Sequence, residues 1–337
     1  MEAKVYPPGV IYEFDSLEDL RSFDGRYVDR TGCGIMANIA ETFRCREGEI
    51  LDPRWIKEGL TNNSFSFLVR GERYVYRQPG EGTEAIISRP HEKIALELAR
   101  TIGLDPSFLY MDGEQGWKIS RFVDGIRTPR YDSREDSLRV IGQLRKLHDK
   151  ALRVDWDFDP WEESLRLEGI LRSEKGGIPD GDFEALKAAL SRCVALCRGD
   201  GVKPCFCHCD TYSPNWMLTD RGDTLLIDWE YAGFADPGCD VGSYISDTAW
   251  EPEEAEWFIR SYCGENDSPA LRTHHLVYSA LMGYYWYVWG LYRESCGAVI
   301  GESLRTWRAS AKRYSDYLLR EIDAAGPQPD KKEDLPC

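Results

Sequence analysis

The segment His208-Cys209-Asp210 is followed after four residues by Asn215, and after twelve more by Asp228. These residue types at these intervals suit phosphoryl transfer. That reaction asks a protein to place divalent cations, neutralise phosphate oxygens and orient a nucleophile, with little covalent work of its own. An aspartate on a short loop can accept a hydroxyl proton. An asparagine a few residues on can turn its carboxamide back to a metal ion, and a second aspartate at a strand end can join the same cluster. The alternating Cys205, Cys207 and Cys209 around His208 invite a zinc reading instead. Zinc-binding cysteine pairs usually stand further apart in sequence. Alternate positions on a strand share one face, so small core thiols are the expectation.

The order H-x-D, four residues, N, then D is that of eukaryotic-like kinases. The longer string Phe206-Cys207-His208-Cys209-Asp210-Thr211-Tyr212-Ser213-Pro214-Asn215, followed by Leu226-Ile227-Asp228-Trp229-Glu230-Tyr231-Ala232-Gly233 and Asp236-Pro237-Gly238-Cys239-Asp240, resembles the choline/ethanolamine kinase family. That family lies within the wider aminoglycoside phosphotransferase group. The Ile227 to Gly233 string favours the bacterial choline kinase type. By this resemblance Asp210 is the catalytic base, Asn215 and Asp228 hold Mg²⁺, Glu230 lies near the same cluster, and Asp240 braces the catalytic loop.

The resemblance extends towards the N-terminus. Glu58-Gly59-Leu60-Thr61-Asn62-Asn63-Ser64 is similar to the family's phosphate-covering loop between two strands, where backbone N–H groups cradle ATP. Arg77, in Tyr74-Val75-Tyr76-Arg77, takes the place of the phosphate-binding lysine, and Glu92 that of its acidic partner. A chance surface Arg and Glu is the alternative for each taken alone. Related bacterial kinases also occur beside or fused to nucleotidyltransferases, so association with one is a possible partner relation. The oligomeric state is open.

The substrate is sought in Tyr284-Tyr285-Trp286-Tyr287-Val288-Trp289. A quaternary ammonium donates no hydrogen bond and is recognised by the faces of Trp and Tyr, with a carboxylate nearby. Trp286 and Trp289 share one side of a helix. An aromatic stripe at helical spacing is otherwise core, and Tyr284, Tyr285 and Tyr287 keep that packing role. The W-x-x-W pair resembles the family's choline pocket, which Trp307 or Tyr314 could close. Asp247 falls where the family places an acid beside the cation; if the family residue is Glu, the shorter arm leaves room for another amino alcohol. The expected reaction is ATP- and Mg²⁺-dependent phosphorylation of choline. Ethanolamine, another amino alcohol or an aminoglycoside are the alternative acceptors. A catalytically inactive ATP-binding regulatory domain is the alternative outside enzymes, set against the presence of Asp210, Asn215 and Asp228.

Residues 51–123 are expected to form a β-rich N-lobe. Phe65, Phe67 and Val69 alternate, Arg70 to Arg73 make a turn, and Tyr74 to Arg77 return. Ile94, Leu98 and Ile102 mark one helical face, with Gly103 beyond it. Residues 124–325 are expected to form a mostly helical C-lobe with a β island from Cys205 to Trp229. The expected fold class is therefore α+β, a protein-kinase-like fold. Residues 1–50 are expected as an N-terminal extension or cap, and 326–337 as a flexible tail. At 337 residues the chain is long enough for two lobes, and 42% hydrophobic with 30% charged residues is an ordinary soluble composition. A net charge of −16 argues against nucleic acid and is compatible with a small cationic alcohol. Eleven cysteines, an odd number without a secretory signal, argue against a disulfide scaffold. No apolar run spans a membrane, and a cytoplasmic location is expected.

Overall fold

The computed structural model describes residues 26–56, 62–79, 86–197 and 200–325. Residues 1–25, 57–61, 80–85, 198–199 and 326–337, among them the expected phosphate-covering residues 58–61, lie outside the described residues, as do the side chains of Asn62 and Asn63. The chain divides into two compact units. One runs to Lys93 and includes Ser107–Asp124; the other holds Ile94–Pro106 and everything from Gly125.

The first unit is an antiparallel sheet of β1 (Leu51–Ile56), β2 (Asn62–Val69), β3 (Glu72–Pro79), β4 (Phe108–Met111) and β5 (Lys118–Arg121), in the order β1-β2-β3-β5-β4. Arg70 and Gly71 join β2 to β3 with φ of +53° and +84°. A two-residue loop with both φ positive matches the strand twist, and glycine enters that region without a Cβ penalty. The alternation of Phe65, Phe67 and Val69 puts all three on the buried face. Covering that face is α1 (Arg26–Phe43), whose Met36 and Ile39 are buried in one core with Phe65, Phe67, Tyr76 and Ile119. Part of the stretch expected as an extension thus supplies one side of the sheet's core. The signal was a helical stripe, Met36, Ile39 and Phe43, with Ile35 and Ala40 beside it. A further helix, α2 (Arg89–Thr101), carries Glu92 in its first turn.

The second unit contains α3 (Arg134–His148), α4 (Pro160–Glu174), α5 (Phe183–Val194), α6 (Gly238–Ser246), α7 (Pro252–Cys263), α8 (Pro269–Ser295) and α9 (Glu302–Ala325). Side-chain caps start three of them. Ser133, Asp159 and Ser268 accept from backbone N–H groups of α3, α4 and α8, and Pro160 and Pro269 take first-turn positions that need no donor. Two glycines let helices meet backbone to backbone. A Cβ on Gly242 would stand 2.4 Å from the Tyr278 carbonyl oxygen, and one on Gly283 would stand 2.9 Å from the Ala311 nitrogen. So α6 and α9 both lie tight against α8. Between α5 and α6 run four short strands: β7 (Cys205–Cys207) pairs with β10 (Gly233–Ala235), while β8 (Trp216–Thr219) lies between β9 (Thr224–Leu226) and β6 (Ile126–Arg127), which precedes α3. The architecture is the expected α+β one, with a small β-rich unit and a mostly helical one. Among the described residues no helix is long and apolar enough to cross a membrane.

Candidate active site

The loop after β7 is held by one buried carboxylate. Asp240, in the first turn of α6, accepts from the Cys209 N–H at 2.6 Å, the His208 N–H at 3.1 Å and the His148 Nε2 at 2.9 Å. Burial works against charge on both Asp240 and His148. The hydrogen bond and mutual attraction outweigh it, so the aspartate is held below and the histidine above the usual range. The other His148 nitrogen meets the Tyr262 hydroxyl at 2.8 Å. Thr211 adds two bonds to α6, from its hydroxyl to the Asp240 carbonyl at 2.6 Å and from its N–H to Ser243 Oγ at 3.1 Å. With the loop so tied, Cys209 adopts a left-handed φ of +67°, a conformation that a non-glycine residue keeps only where its surroundings enforce it. His208 meets the Ile227 carbonyl at 2.9 Å and accepts from the Asp210 N–H at 3.2 Å. Those two bonds engage both ring nitrogens away from the thiols. Cys205, Cys207 and Cys209 are buried core side chains.

This loop presents Asp210. The Asn215 side-chain amide donates to the Asp210 carboxylate at 2.9 Å and to its carbonyl at 2.8 Å. The Ile227 N–H donates to the Asn215 carbonyl at 2.9 Å, which sets the asparagine beside the Asp228 turn. Asp228 lies just past β9 with φ +71°, again a left-handed non-glycine residue. Burial, then the charges of Asp228 and Glu230, push the Asp210 carboxyl well above the usual carboxylate range, with the Asn215 hydrogen bond opposing. These crowded carboxylates, with the Asn215 side chain among them, offer a hard-oxygen donor set, the kind Mg²⁺ takes and whose repulsion a divalent cation relieves. The residues present fit that ion.

On α8, Trp286 and Trp289 pack edge to face with ring centroids 5.5 Å apart, and Trp307 of α9 closes a triangle at 6.0 and 6.2 Å. Tyr231 sets its ring edge to face with Trp286 at 5.2 Å and accepts from the Trp289 indole N–H at 2.9 Å. The Trp286 indole N–H donates to Ser243 Oγ, the same atom that receives the Thr211 N–H. The aromatic cluster is thereby fastened to the loop that bears Asp210 through α6. Asp247, at the C-terminal end of α6, accepts from the Tyr131 hydroxyl. Burial raises its carboxyl to about 6, with hydrogen bonds from Tyr131 and Trp307 opposing. Of the neighbouring tyrosines, Tyr285 also packs on Trp286, with ring centroids 4.8 Å apart. Tyr284 stacks on Trp161, Tyr285 meets Phe158 edge to face, and Tyr287 donates to Asp180 at 2.7 Å. Tyr314 donates to the Trp250 carbonyl at 3.0 Å.

Residues 55–274 match the phosphotransferase enzyme family, more than half of the chain. The chain belongs to that family. The phosphotransferase is 23% identical over 281 residues to the protein LicA of Haemophilus influenzae, covering 79% of this chain and 97% of that one. It is 25% identical over 205 residues to mouse ethanolamine kinase 2, covering 57% and 52%. Its structure is similar to that of the choline kinase LicA from Streptococcus pneumoniae, with a TM-score of 0.71 at 24% identity, covering 83% of this chain and 97% of the other. A thermostable mutant of the aminoglycoside phosphotransferase APH(4)-Ia matches at 0.55 and 18%, covering 87% and 100%. The fold is accordingly the protein-kinase-like one.

In the first unit the phosphotransferase places Asn62, Asn63 and Ser64 within β2, paired in turn with Pro79, Gln78 and Arg77 of β3. The three residues expected at the end of the phosphate-covering loop therefore begin a strand. Backbone pairing claims them because β3 continues to Pro79 and offers partners that far. Arg77 faces Ser64 on one side and Lys118 of β5 on the other. Glu92 is 2% exposed and accepts from Lys118 Nζ at 2.9 Å and Arg89 Nη1 at 2.7 Å. The sequence expectation for Glu92 named Arg77 and did not foresee Lys118 or Arg89 beside it. The cross-strand neighbour of Arg77 was not legible, because it depends on the β3–β5 register over forty residues of chain.

Proposed function

We propose that the enzyme transfers the γ-phosphoryl group of ATP to the hydroxyl of choline, giving phosphocholine. The observation that carries this reading is the triangle of Trp286, Trp289 and Trp307 with Asp247, fastened to the loop that bears Asp210. A trimethylammonium head seats against indole faces at about 0.5–2 kcal/mol per ring, and Asp247 supplies the compensating charge. The hydroxyl end of the alcohol is then directed to Asp210, which accepts its proton as the oxygen attacks phosphorus. Bound Mg²⁺ would neutralise the phosphate oxygens, and Asn215, Asp228 and Glu230 would hold it. The Asn215 amide keeps the Asp210 carboxylate in one orientation. Arg77, together with the residues 61–64, would handle the ATP phosphates, and Glu92 would fix the cations around it.

Ethanolamine is the second reading, favoured by Asp247 itself. A primary ammonium would bond that carboxylate directly and draw less from the rings. ADP release measured with Mg²⁺–ATP and choline, ethanolamine or an aminoglycoside separates the cases. The choline reading predicts a preference for choline that Trp286→Ala removes. Equal rates on ethanolamine after that substitution, with choline never preferred, would transfer the assignment to the amine.

A further inference from the structure

A buried phenol links two parts of this site that lie far apart in sequence. Tyr131 stands ahead of α3, on an irregular segment. Its hydroxyl donates to Asp247 at the end of α6 and accepts from the Ser213 N–H, at 2.9 Å, in the catalytic loop. The same segment takes a second bond from that loop, from the Ser213 hydroxyl to the Pro129 carbonyl at 2.8 Å. The ring has no freedom to swing away. It packs edge to face on Tyr244 at 5.3 Å and on Trp250 at 6.3 Å, and the Trp250 indole donates to the Tyr131 carbonyl at 3.1 Å.

We infer that Tyr131 is a positioning residue, which sets the Asp247 carboxylate toward the cationic head of the substrate and registers it against the loop carrying Asp210. The inference rests on the cationic-alcohol reading. One hydroxyl has a single proton to give and lone pairs to accept with, so donating to Asp247 leaves it free to accept from Ser213. The phenol therefore fixes both the orientation of the acid and its distance from the loop. It also favours the charged form of Asp247, which burial opposes. The titratable groups acting with Asp247 are Tyr131 itself, Tyr244 on α6 and Asp210 on the loop. Both phenols are pushed above their ordinary range by burial and stay protonated through neutral pH.

The test is Tyr131→Phe in the full chain, with kcat and KM for choline and for Mg²⁺–ATP measured from pH 5.5 to 8.5. Phenylalanine keeps the ring contacts and deletes only the hydroxyl. KM for choline should rise about tenfold, as expected for a lost hydrogen bond to a charged group, with KM for ATP within about twofold of wild type. The inflection of kcat/KM for choline near pH 6 should move upward, because the charged carboxylate has lost its donor. In Asp247→Asn that inflection should vanish, and adding Tyr131→Phe should then change KM little. These readouts do not depend on how much of the protein is folded. A variant whose KM and inflection match wild type overturns the inference, even if its melting temperature falls, and leaves the choline reading standing. A wild-type enzyme that phosphorylates no cationic alcohol overturns that reading and the inference with it.

Discussion

Asp210 and Asp247 are both lifted by burial, yet the proposed reaction asks different things of them. Asp210 must take a proton, and a carboxylate surrounded by the charges of Asp228 and Glu230 is a better acceptor than a solvated one. Asp210→Asn should therefore lower kcat by about 10²–10⁴-fold with KM for either substrate little changed, as steady-state ADP release would show. Asp247 must be charged to hold a cation. With its carboxyl raised to about 6, KM for choline should climb as pH falls below 6. The sign for stability is opposite. The folded state holds this proton at a higher pH than the unfolded chain does, so this group favours folding more as pH drops from 6 towards the unfolded carboxyl value. Asp210, Asn215 and Asp228 could be picked out from spacing because one loop and one strand end carry all three. Tyr131 could not, since 116 residues separate it from Asp247 and nothing local marks it.

Helix contacts decide how the site is held at the next scale. The α6 helix serves three ends: Asp240 holds the loop that bears Asp210, Ser243 receives Thr211 and Trp286, and Asp247 accepts from Tyr131. His148 of α3 completes the Asp240 joint from inside the protein. His148→Ala leaves a buried charge without its partner and should cost about 3–5 kcal/mol of stability, read from denaturant unfolding. The α8–α9 contact is equally tight at Gly283, where an added Cβ would stand 3.0 Å from the Trp307 carbonyl oxygen. Gly283→Ala should push α9 outward and carry Trp307 from Trp286. KM for choline should then rise severalfold while KM for ATP holds, and the melting temperature should fall, since overpacking costs about 1–3 kcal/mol. The aromatic run foretold the α8 helix but not this contact, because a glycine in a tyrosine-rich stretch says nothing of which helix approaches it.

For the whole molecule, a net charge of −16 favours a cationic alcohol and opposes a nucleotide. Affinity for ATP must come from local cations, and the first unit concentrates Arg77, Lys118 and Arg89 along β3, β5 and the start of α2. Arg77→Ala should raise KM for Mg²⁺–ATP at least fivefold and leave KM for choline unchanged. Added salt should lower kcat/KM for choline by screening the acidic surface. The division into a β-rich and a helical part was readable from the change of hydrophobic period, two before residue 80 and near 3.6 after residue 130. The role of α1 was not, because its burial depends on a sheet that follows it in sequence.

In the proposed reaction three indoles and Asp247 select a quaternary ammonium alcohol, Asp210 takes its hydroxyl proton, and ATP supplies the phosphoryl group. The most direct measurement is kcat/KM for choline against ethanolamine, in the wild type and in Trp286→Ala. The wild type should prefer choline at least tenfold, and the variant should lose about 2- to 30-fold on choline alone. A wild type that prefers ethanolamine, or a variant that loses both substrates equally, would contradict it.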